Sequence, residues 1–415
     1  MEQKRTLSAT QLALLLTLVY CASYITRINF AAIIQEIITD TGFAKSALSI
    51  IPVCLSITYG TGQIVNGYLS DKIRPQYMIL CGLSTATAVN LVFPFLAHSI
   101  PVMCVLWAIN GFAQAMMWPP IVQILVRCTE GADYNRCMVW VSCGSSIGTI
   151  LVYLTAPMLL SVIGWRGIFL LCAGFGLVSS VLFAILQRRI YLPPLPTKPE
   201  PESSEKPRTF SFPALAIFPI LFIGLGIILQ GMLRDGVTTW MPTYLVEVFG
   251  FANSTSILAT VSLAIFSMLS FYFFTWFYHR FFKNEVTCAV VIYAITVFVA
   301  LLLTLLWQAN TVLSISLLVL LCSGAHGVNL MLISHVPKRF KRYGNISTIS
   351  GCVNACTYVG SAISTYGIAV LVERMGWQFT IGSWAVIATL GLIACAIAVR
   401  PWWRFVQKDE QAPEA

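Results

Sequence analysis

"ATQLALLLTLVYCASYITRINFAAII", residues 9–34, is an apolar run interrupted by one permanent cation, Arg27. A helix of this length, at about 1.5 Å rise per residue, crosses a hydrocarbon core of roughly 30 Å. An arginine at that depth is costly unless it faces a partner, a cavity or the membrane surface. The stretch therefore predicts a transmembrane helix and marks Arg27 as a candidate functional residue.

The rest of the chain repeats this pattern. Of its 415 residues, 58% are apolar and 10% are charged, and the mean hydropathy is +0.81, which is typical of an integral membrane protein. The sequence predicts an all-α membrane protein with twelve transmembrane helices. Numbered as spans 1 to 12, they cover residues 9–35, 45–69, 77–97, 101–125, 137–161, 165–187, 213–246, 253–278, 286–306, 309–335, 346–372 and 377–399.

The cations are distributed asymmetrically between the two sides of the membrane. Twenty of the 25 lysines and arginines fall in the loops on the side of the amino terminus, and the opposite loops hold Lys45, Arg166 and Arg374. Positively charged loops stay in the cytoplasm, so both termini are predicted to be cytoplasmic. Two cations, Arg27 and Arg234, belong to neither set of loops.

A polar segment divides the spans into six and six. "QRRIYLPPLPTKPEPESSEKPRTF", residues 187–210, is rich in proline and charge, which is typical of a solvated linker. We therefore predict an N-terminal six-helix bundle at 1–187, a cytoplasmic linker at 188–212 and a C-terminal six-helix bundle at 213–415.

The two bundles resemble each other. "IGWRGIF" at 163–169 recurs as "MGWQFTI" at 375–381, 212 positions later, and Arg27 and Arg234 are 207 positions apart. These offsets indicate parallel repeats, a feature of carriers whose substrate site lies near the midplane between the halves. They predict that the two arginines occupy equivalent, facing places. The alternative for Arg27 is that it ends the first helix and extends to the outer surface.

The sequence places no obvious carboxylate to neutralise either arginine. Asp235 follows Arg234 directly, and adjacent side chains on a helix are not expected to face each other. Two guanidinium groups without an internal counterion predict an external di-anion, because the guanidinium fork matches phosphate or carboxylate. Two uncompensated cations would also oppose closure of an empty carrier, which predicts obligatory exchange. The alternative, proton symport, would use His326 as the titratable group.

The loop between spans 2 and 3 identifies a superfamily. "NGYLSDKIRPQ", residues 66–76, resembles the G-x-L-x-D-R loop of the major facilitator superfamily, with Gly67 allowing close helix packing, Asp71 at a helix end, and Lys72 and Arg74 as its basic side. Five other glycines are predicted to permit close helix contacts. They are Gly111, Gly144, Gly148, Gly351 and Gly360.

Two further stretches, "NGFAQAMMWPP" at 110–120 and "RDGVTTWMPTYLVEV" at 234–248, are similar to the organophosphate:phosphate antiporter family, which includes glycerol-3-phosphate and hexose-phosphate transporters. The resemblance implies that the phosphate-binding Arg27 and Arg234 and the tyrosines Tyr24, Tyr59 and Tyr358 belong to the substrate site. The polar side chains of Gln63 and His326 are further candidates, which would help to select the organic part of the substrate. Glycerol-phosphate carriers have lysines where this chain has Ile28 and Gln63, so the resemblance leaves the organic part of the substrate open.

Together these observations predict a secondary transporter that exchanges an organic phosphate or similar anion for inorganic phosphate by alternating access. Alternatives are a membrane sensor of external sugar phosphate and a carboxylate symporter of the same superfamily. No pattern of nucleophile and base, metal ligands or phosphate-binding glycine loop indicates an enzyme or a cofactor. We expect lipid and small anions as partners and no nucleic acid, a monomer, and a bacterial inner membrane location.

Overall fold

The computed structural model of the chain describes residues 7–43, 45–193, 214–251, 253–343 and 346–411, and these residues are almost entirely helical. A π-helical turn, Leu330–His335, and a 3-10 segment, Val336–Tyr343, follow the tenth α-helix. In chain order the α-helices are α1 Ala9–Thr41, α2 Lys45–Ser70, α3 Pro75–Leu96, α4 Ile100–Gln114, α5 Trp118–Cys128, α6 Gly131–Leu186, α7 Ala214–Phe249, α8 Asn253–Phe281, α9 Glu285–Leu306, α10 Thr311–Asn329 and α11 Ile346–Gln411.

Ten segments of the described chain are long and apolar enough to cross a membrane. Helix α2 and the first part of α11 are outside that set, and both carry many serine, threonine and amide side chains. Large apolar side chains also cover the outside, and Leu305 is 78% exposed and Met158 76%. Soluble proteins rarely present so much apolar surface, whereas lipid covers it. The predicted all-helical membrane fold is confirmed.

Two helices each contain two predicted spans. Helix α6 turns at Gly164, where φ is 63°, and α11 turns at Gly376, where φ is 76°. Side chains with a Cβ rarely adopt this left-handed conformation, so glycine is needed at both corners. The corners are 212 positions apart, which is the offset that the sequence repeat predicts.

The described chain packs as two units. One contains the residues up to Leu192 together with Ser347–Ala355 from the start of α11, and the other contains Pro193–Ile346 and the residues from Cys356 onward. Most of the predicted linker, residues 194–212, lies outside the described residues, so the domain boundaries stay a prediction.

The same helix contact recurs inside each unit. In the first unit, a Cβ built on Gly148 of α6 would lie 2.7 Å from the carbonyl oxygen of Cys21 on α1. In the second unit, a Cβ on Gly360 of α11 would overlap the carbonyl oxygen of Ile228 on α7. The partners are again offset by 212 and 207 positions. The close contacts predicted at Gly111, Gly144 and Gly351 are confirmed as well, each against a backbone carbonyl of a neighbouring helix.

A second repeated contact joins the C-terminal ends of α1 and α7 to tryptophans just after the corners of α6 and α11. The Trp165 indole donates a hydrogen bond of 2.9 Å to Asp40, and the Trp377 indole donates one of 2.7 Å to Glu247. Asp40 also accepts from Arg166 at 2.7 Å, and the hydrogen bonds from Trp165 and Arg166 lower the pKa of the Asp40 carboxyl. These indole–carboxylate bonds hold α1 on the second half of α6, and α7 on the second half of α11.

Asp71, in the loop after α2, caps the start of α11. Its carboxylate accepts hydrogen bonds from the backbone N–H groups of Ser347 at 2.9 Å and Thr348 at 2.7 Å, and from the Thr348 hydroxyl at 2.6 Å. A carboxylate at this position satisfies N–H groups that lack a helical partner and complements the helix dipole. Burial raises the pKa of the Asp71 carboxyl, and the hydrogen bonds from Thr348 and Ser347 oppose that shift.

The other predicted residues of this loop are Gly67, Lys72 and Arg74. A Cβ on Gly67 would lie 2.6 Å from the Ser347 carbonyl oxygen, so glycine is needed for α2 to approach α11. The Lys72 ammonium lies 4.2 Å from the centroid of the Tyr68 ring, and Arg74 is exposed just before α3. The predicted close packing at Gly67 and helix-end position of Asp71 are therefore confirmed.

The repeated glycine contact predicts the effect of adding one methyl group. Gly360→Ala should lower the free energy of unfolding by about 1–3 kcal/mol, because the new Cβ overlaps a backbone carbonyl that cannot move alone. Gly367→Ala, on the same helix with no heavy atom within 4 Å of its Cβ, is the control and should be neutral or stabilising. Thermal unfolding in detergent measures both, and equal shifts would contradict the contact.

The cap predicts a local change in hydrogen exchange. Asp71→Asn removes a charged acceptor from the N–H groups of Ser347 and Thr348, and hydrogen bonds to charged groups contribute about 1.5–3 kcal/mol. Peptides that contain the first turn of α11 should then exchange about 10- to 100-fold faster. Asp133→Asn, at an exposed pair with Arg136, is the control. Unchanged exchange in Asp71→Asn would show that the carboxylate does not hold this helix end.

Candidate anion-binding site

A buried polar network fixes the rotation of α1 about its axis. The Thr26 carbonyl oxygen accepts from the Asn90 side chain at 2.8 Å and from the Asn110 side chain at 3.0 Å. Gln114 donates to the Thr26 hydroxyl at 3.1 Å and accepts from Ser23 at 2.6 Å. All five side chains are buried, where an unpaired amide is costly, so other rotations of α1 are disfavoured.

With α1 held this way, Arg27 lies against two tyrosine rings. Its guanidinium carbon is 5.2 Å from the ring centroid of Tyr24 and 4.6 Å from that of Tyr59 on α2. Both distances are within the range of a cation–π interaction, which is stronger where water is excluded. Arg27 is half-buried and Tyr59 is 2% exposed. The structure therefore brings together three of the predicted substrate-binding residues, in the middle of a 33-residue helix rather than at its end.

Aromatic side chains continue from Tyr24 toward the break between α4 and α5. The Tyr20 ring centroid lies 5.2 Å from that of Tyr24 and 5.1 Å from that of Trp118. Trp118 opens α5 ahead of Pro119 and Pro120, where the missing N–H groups of the prolines interrupt the helix without loss. Trp118 is buried and packs against Tyr20.

Gln63 is the buried polar group of α2 that the sequence marks as a candidate. Gln63 is fully buried, and neither the Nε2 nor the Oε1 atom of its side chain has a hydrogen-bond partner among the described residues. A buried amide with both ends unsatisfied is unfavourable unless another group completes it. Gln63 therefore remains a candidate ligand-binding residue.

Arg234 corrects one sequence-based expectation. It lies inside the 36-residue α7, as predicted, but its Nε and Nη2 donate to the two carboxylate oxygens of Asp235 at 2.6 and 2.8 Å. The expectation that Asp235 cannot neutralise its neighbour is wrong. The rule for adjacent residues describes the directions of the Cβ atoms, and it does not limit how far a long arginine side chain can reach. The pair is 18% and 25% exposed.

Side chains of α7 and α10 form a chain of contacts beside this pair. The Thr238 hydroxyl donates to the Arg234 carbonyl oxygen at 2.7 Å and lies 3.7 Å from the sulfur of Cys322. His326 lies one turn further along α10, with Nδ1 at 2.9 Å from the Cys322 carbonyl oxygen. A carbonyl oxygen only accepts, so Nδ1 carries the hydrogen and Nε2 of the neutral ring is an acceptor.

Tyr358 is the predicted site residue that the contacts described above do not include. It is half-buried on α11, next to Thr357, whose backbone packs against Gly231 of α7. Its role stays a prediction.

Two buried polar residues on the arginine-bearing helices were not predicted from the sequence. Ser23 and Gln230 precede Arg27 and Arg234 by four residues, one helical turn, and both are buried. The Nε2 atom of Gln230 has no hydrogen-bond partner among the described residues. Uncharged polar residues inside apolar spans are the signal that could have found them, since such residues mark interhelical bonds or binding sites.

The two arginines make different contacts in the two units. The first unit presents a guanidinium against aromatic rings and the second presents one that is paired through two donors. In the part of the chain that the structure describes, no group of three or more histidine, cysteine or acidic side chains could hold a metal ion.

Comparisons with known proteins agree with this description. Residues 16–365 match the Major Facilitator Superfamily. The glycerol-3-phosphate transporter of Bacillus subtilis is 25% identical over 408 residues, which cover 92% of this chain and 90% of that protein. A probable hexose phosphate transport protein of Chlamydia trachomatis is 34% identical over 149 residues, 36% of this chain and 32% of that protein. The membrane sensor protein UhpC of Salmonella typhimurium is 27% identical over 180 residues, 42% of this chain and 40% of that protein.

Solved structures support the fold. The Major Facilitator Superfamily transporter FucP in the outward conformation has a TM-score of 0.73 at 13% identity and covers 93% of this chain and 98% of its own. A bacterial homologue of the iron transporter ferroportin in the outward-facing state has a TM-score of 0.72 at 10% identity, with 94% and 99% covered. At these identities the likeness concerns the fold alone.

The family match spans most of the chain, and the relatives named here are transport and sensor proteins rather than enzymes. The resemblance predicted from the loop at 66–76 and from the stretches at 110–120 and 234–248 is therefore confirmed. This integral membrane protein belongs to the Major Facilitator Superfamily, as a member similar to its organophosphate:phosphate antiporters.

Proposed function

We propose that the protein exchanges an organic phosphate for inorganic phosphate across the membrane by alternating access. The observation that carries this proposal is the position of two guanidinium groups, Arg27 and Arg234, inside long transmembrane helices and 207 positions apart in two repeats. Cations at this depth mark substrate pathways. In the proposal both arginines bind the same anion during transport.

Phosphate fits this arrangement better than a simple carboxylate. A phosphate group carries up to two negative charges and three acceptor oxygens, so two guanidinium groups can each donate two hydrogen bonds to it. The relatives named for glycerol 3-phosphate and hexose phosphate support the same substrate class. Ile28 and Gln63 replace lysines of glycerol-phosphate carriers, so we propose an organic part other than glycerol, selected by Gln63, Tyr24, Tyr59 and His326.

Repulsion between two uncompensated cations does not support exchange, because Asp235 neutralises Arg234 in the described structure. The similarity to organophosphate:phosphate antiporters supports exchange instead. The distribution of lysine and arginine among the loops supports a cytoplasmic location for both termini.

A sensor is the second candidate function. The similarity to the membrane sensor protein UhpC favours it, since that match covers 42% of the chain. A sensor and a transporter could share the anion site and differ in whether the bound anion crosses the membrane. Transport is therefore the measurement that separates them.

Counterflow in proteoliposomes tests the proposal. Vesicles preloaded with unlabelled inorganic phosphate should accumulate labelled phosphate from outside, because each exchange returns an anion. Arg27→Lys and Arg234→Lys should each weaken phosphate binding about 10- to 100-fold, since lysine keeps the charge but loses the two-pronged donor, and charged hydrogen bonds contribute about 1.5–3 kcal/mol. Counterflow at low phosphate should fall in proportion.

Arg136→Lys is the matched control, because Arg136 is 48% exposed at a pair with Asp133 and should change phosphate affinity less than twofold. Wild-type affinity in Arg27→Lys or Arg234→Lys would refute the assignment of that residue. Phosphate binding without counterflow would refute exchange and favour the sensor.

A further inference from the structure

The Arg234–Asp235 pair occupies the donors that an anion would need. The guanidinium of Arg234 has five N–H donors, and two of them, on Nε and Nη2, point to Asp235. Both contacts are short, and both side chains are mostly buried. This edge of the guanidinium offers the two parallel donors that match a phosphate or carboxylate. An incoming anion and the Asp235 carboxylate therefore compete for the same edge.

The other groups around the pair include few that titrate. From α10, Cys322 and His326 lie within electrostatic range of both Arg234 and Asp235. From α8, Phe271 contacts the His326 ring edge to face, at 5.7 Å between centroids. From α11, the residues that pack on α7 above and below the pair are Thr357, Ser364 and Ile368, with Tyr358 the neighbouring phenol.

A carboxylate released from Arg234 beside a bound di-anion would be unfavourable. The two negative groups would share one guanidinium in a site where burial weakens screening by water. Protonation removes this repulsion and leaves a neutral carboxylic acid, which is far less costly to bury than an anion. The equivalent position in the first unit is Ile28, which cannot take up a proton. A carboxylate that pairs with the arginine and could be protonated at this position is therefore present in the second unit alone.

We propose that Asp235 is a displaceable counterion whose release from Arg234 couples anion binding to the uptake of one proton. The step balances: the anion replaces the Asp235 carboxylate on the Nε–Nη2 edge, a proton from water forms an O–H bond on the freed carboxylate, and the hydrogen bonds between Arg234 and Asp235 break. When the anion leaves, the proton leaves and the pair forms again. This inference rests on the proposed binding of phosphate by Arg234. In each exchange the bound anion would then be accompanied by one proton on Asp235.

The test compares inorganic phosphate binding by the wild-type protein, Asp235→Asn and the control Asp133→Asn. Calorimetric titration in two buffers with different ionisation enthalpies gives the number of protons taken up per phosphate. The titration of phosphate itself is common to all three proteins and cancels in the differences. We expect the wild type and Asp133→Asn to take up close to one proton more than Asp235→Asn.

The same proton uptake should appear in the phosphate affinity of the wild type and Asp235→Asn. Asp235→Asn should bind phosphate about tenfold more tightly at neutral pH, since no carboxylate competes for Arg234. The ratio of dissociation constants, wild type to Asp235→Asn, should rise toward tenfold per pH unit, because wild-type binding requires a proton that becomes scarcer. Tighter binding with an unchanged proton count would overturn the proposal, since the carboxylate would then only repel the anion.

A second measurement needs no variant. The infrared difference spectrum of the wild-type protein on addition of phosphate should gain the band of a protonated carboxyl group and lose that of an ionised one. If Asp235→Asn does not fold, absence of this change still overturns the proposal. Failure of the proposed function gives a different result. The wild type would then not bind phosphate, or the variants Arg27→Lys and Arg234→Lys would bind it as tightly as the wild type does.

Discussion

An arginine inside a membrane helix must be compensated, because its charge cannot be removed at any pH that the protein meets. The chain has two such residues at equivalent places in its repeats, and it compensates them differently. Arg27 lies against the rings of Tyr24 and Tyr59, and Arg234 is held by the neighbouring carboxylate of Asp235. An anion that binds the Nε–Nη2 edge of Arg234 must first displace the Asp235 carboxylate. The repeats are thus similar in backbone and unlike in electrostatics.

Equivalent backbone contacts in the two units place the two arginine-bearing helices in equivalent positions. Helix α1 packs on α6 through Gly148, and α7 packs on α11 through Gly360, with an indole–carboxylate bond near the C-terminal ends of α1 and α7. These contacts fix the relative heights of the helices in each unit. Rotation is fixed separately in the first unit by the amides around Thr26. Each arginine is therefore presented by a helix that other parts of its unit hold in place.

Much of this arrangement could be predicted from sequence, because it depends on features that sequence carries directly. Apolar length predicted the spans and equal offsets predicted the repeat, whereas the sequence left open whether Arg27 ends the first helix, and the 33-residue α1 places it inside. The Arg234–Asp235 pair could not be predicted, since it depends on the side-chain conformation of a long residue. The corners at Gly164 and Gly376 fall between predicted spans 5 and 6 and between spans 11 and 12, so these span boundaries agree with the structure. The hydrogen bonds from Asn90 and Asn110 to Thr26 could not be predicted either, because the sequence does not show which helices are neighbours.

The central proposal is that Arg27 and Arg234 bind the same anion during transport. A double-mutant cycle for inorganic phosphate affinity, with Arg27→Lys, Arg234→Lys and the double variant, measures this most directly. If both guanidinium groups contact the same phosphate, the two losses will not add, and the coupling energy should be about 1 kcal/mol or more. Losses that add within about 0.5 kcal/mol would show that the arginines act at separate places and would contradict the account.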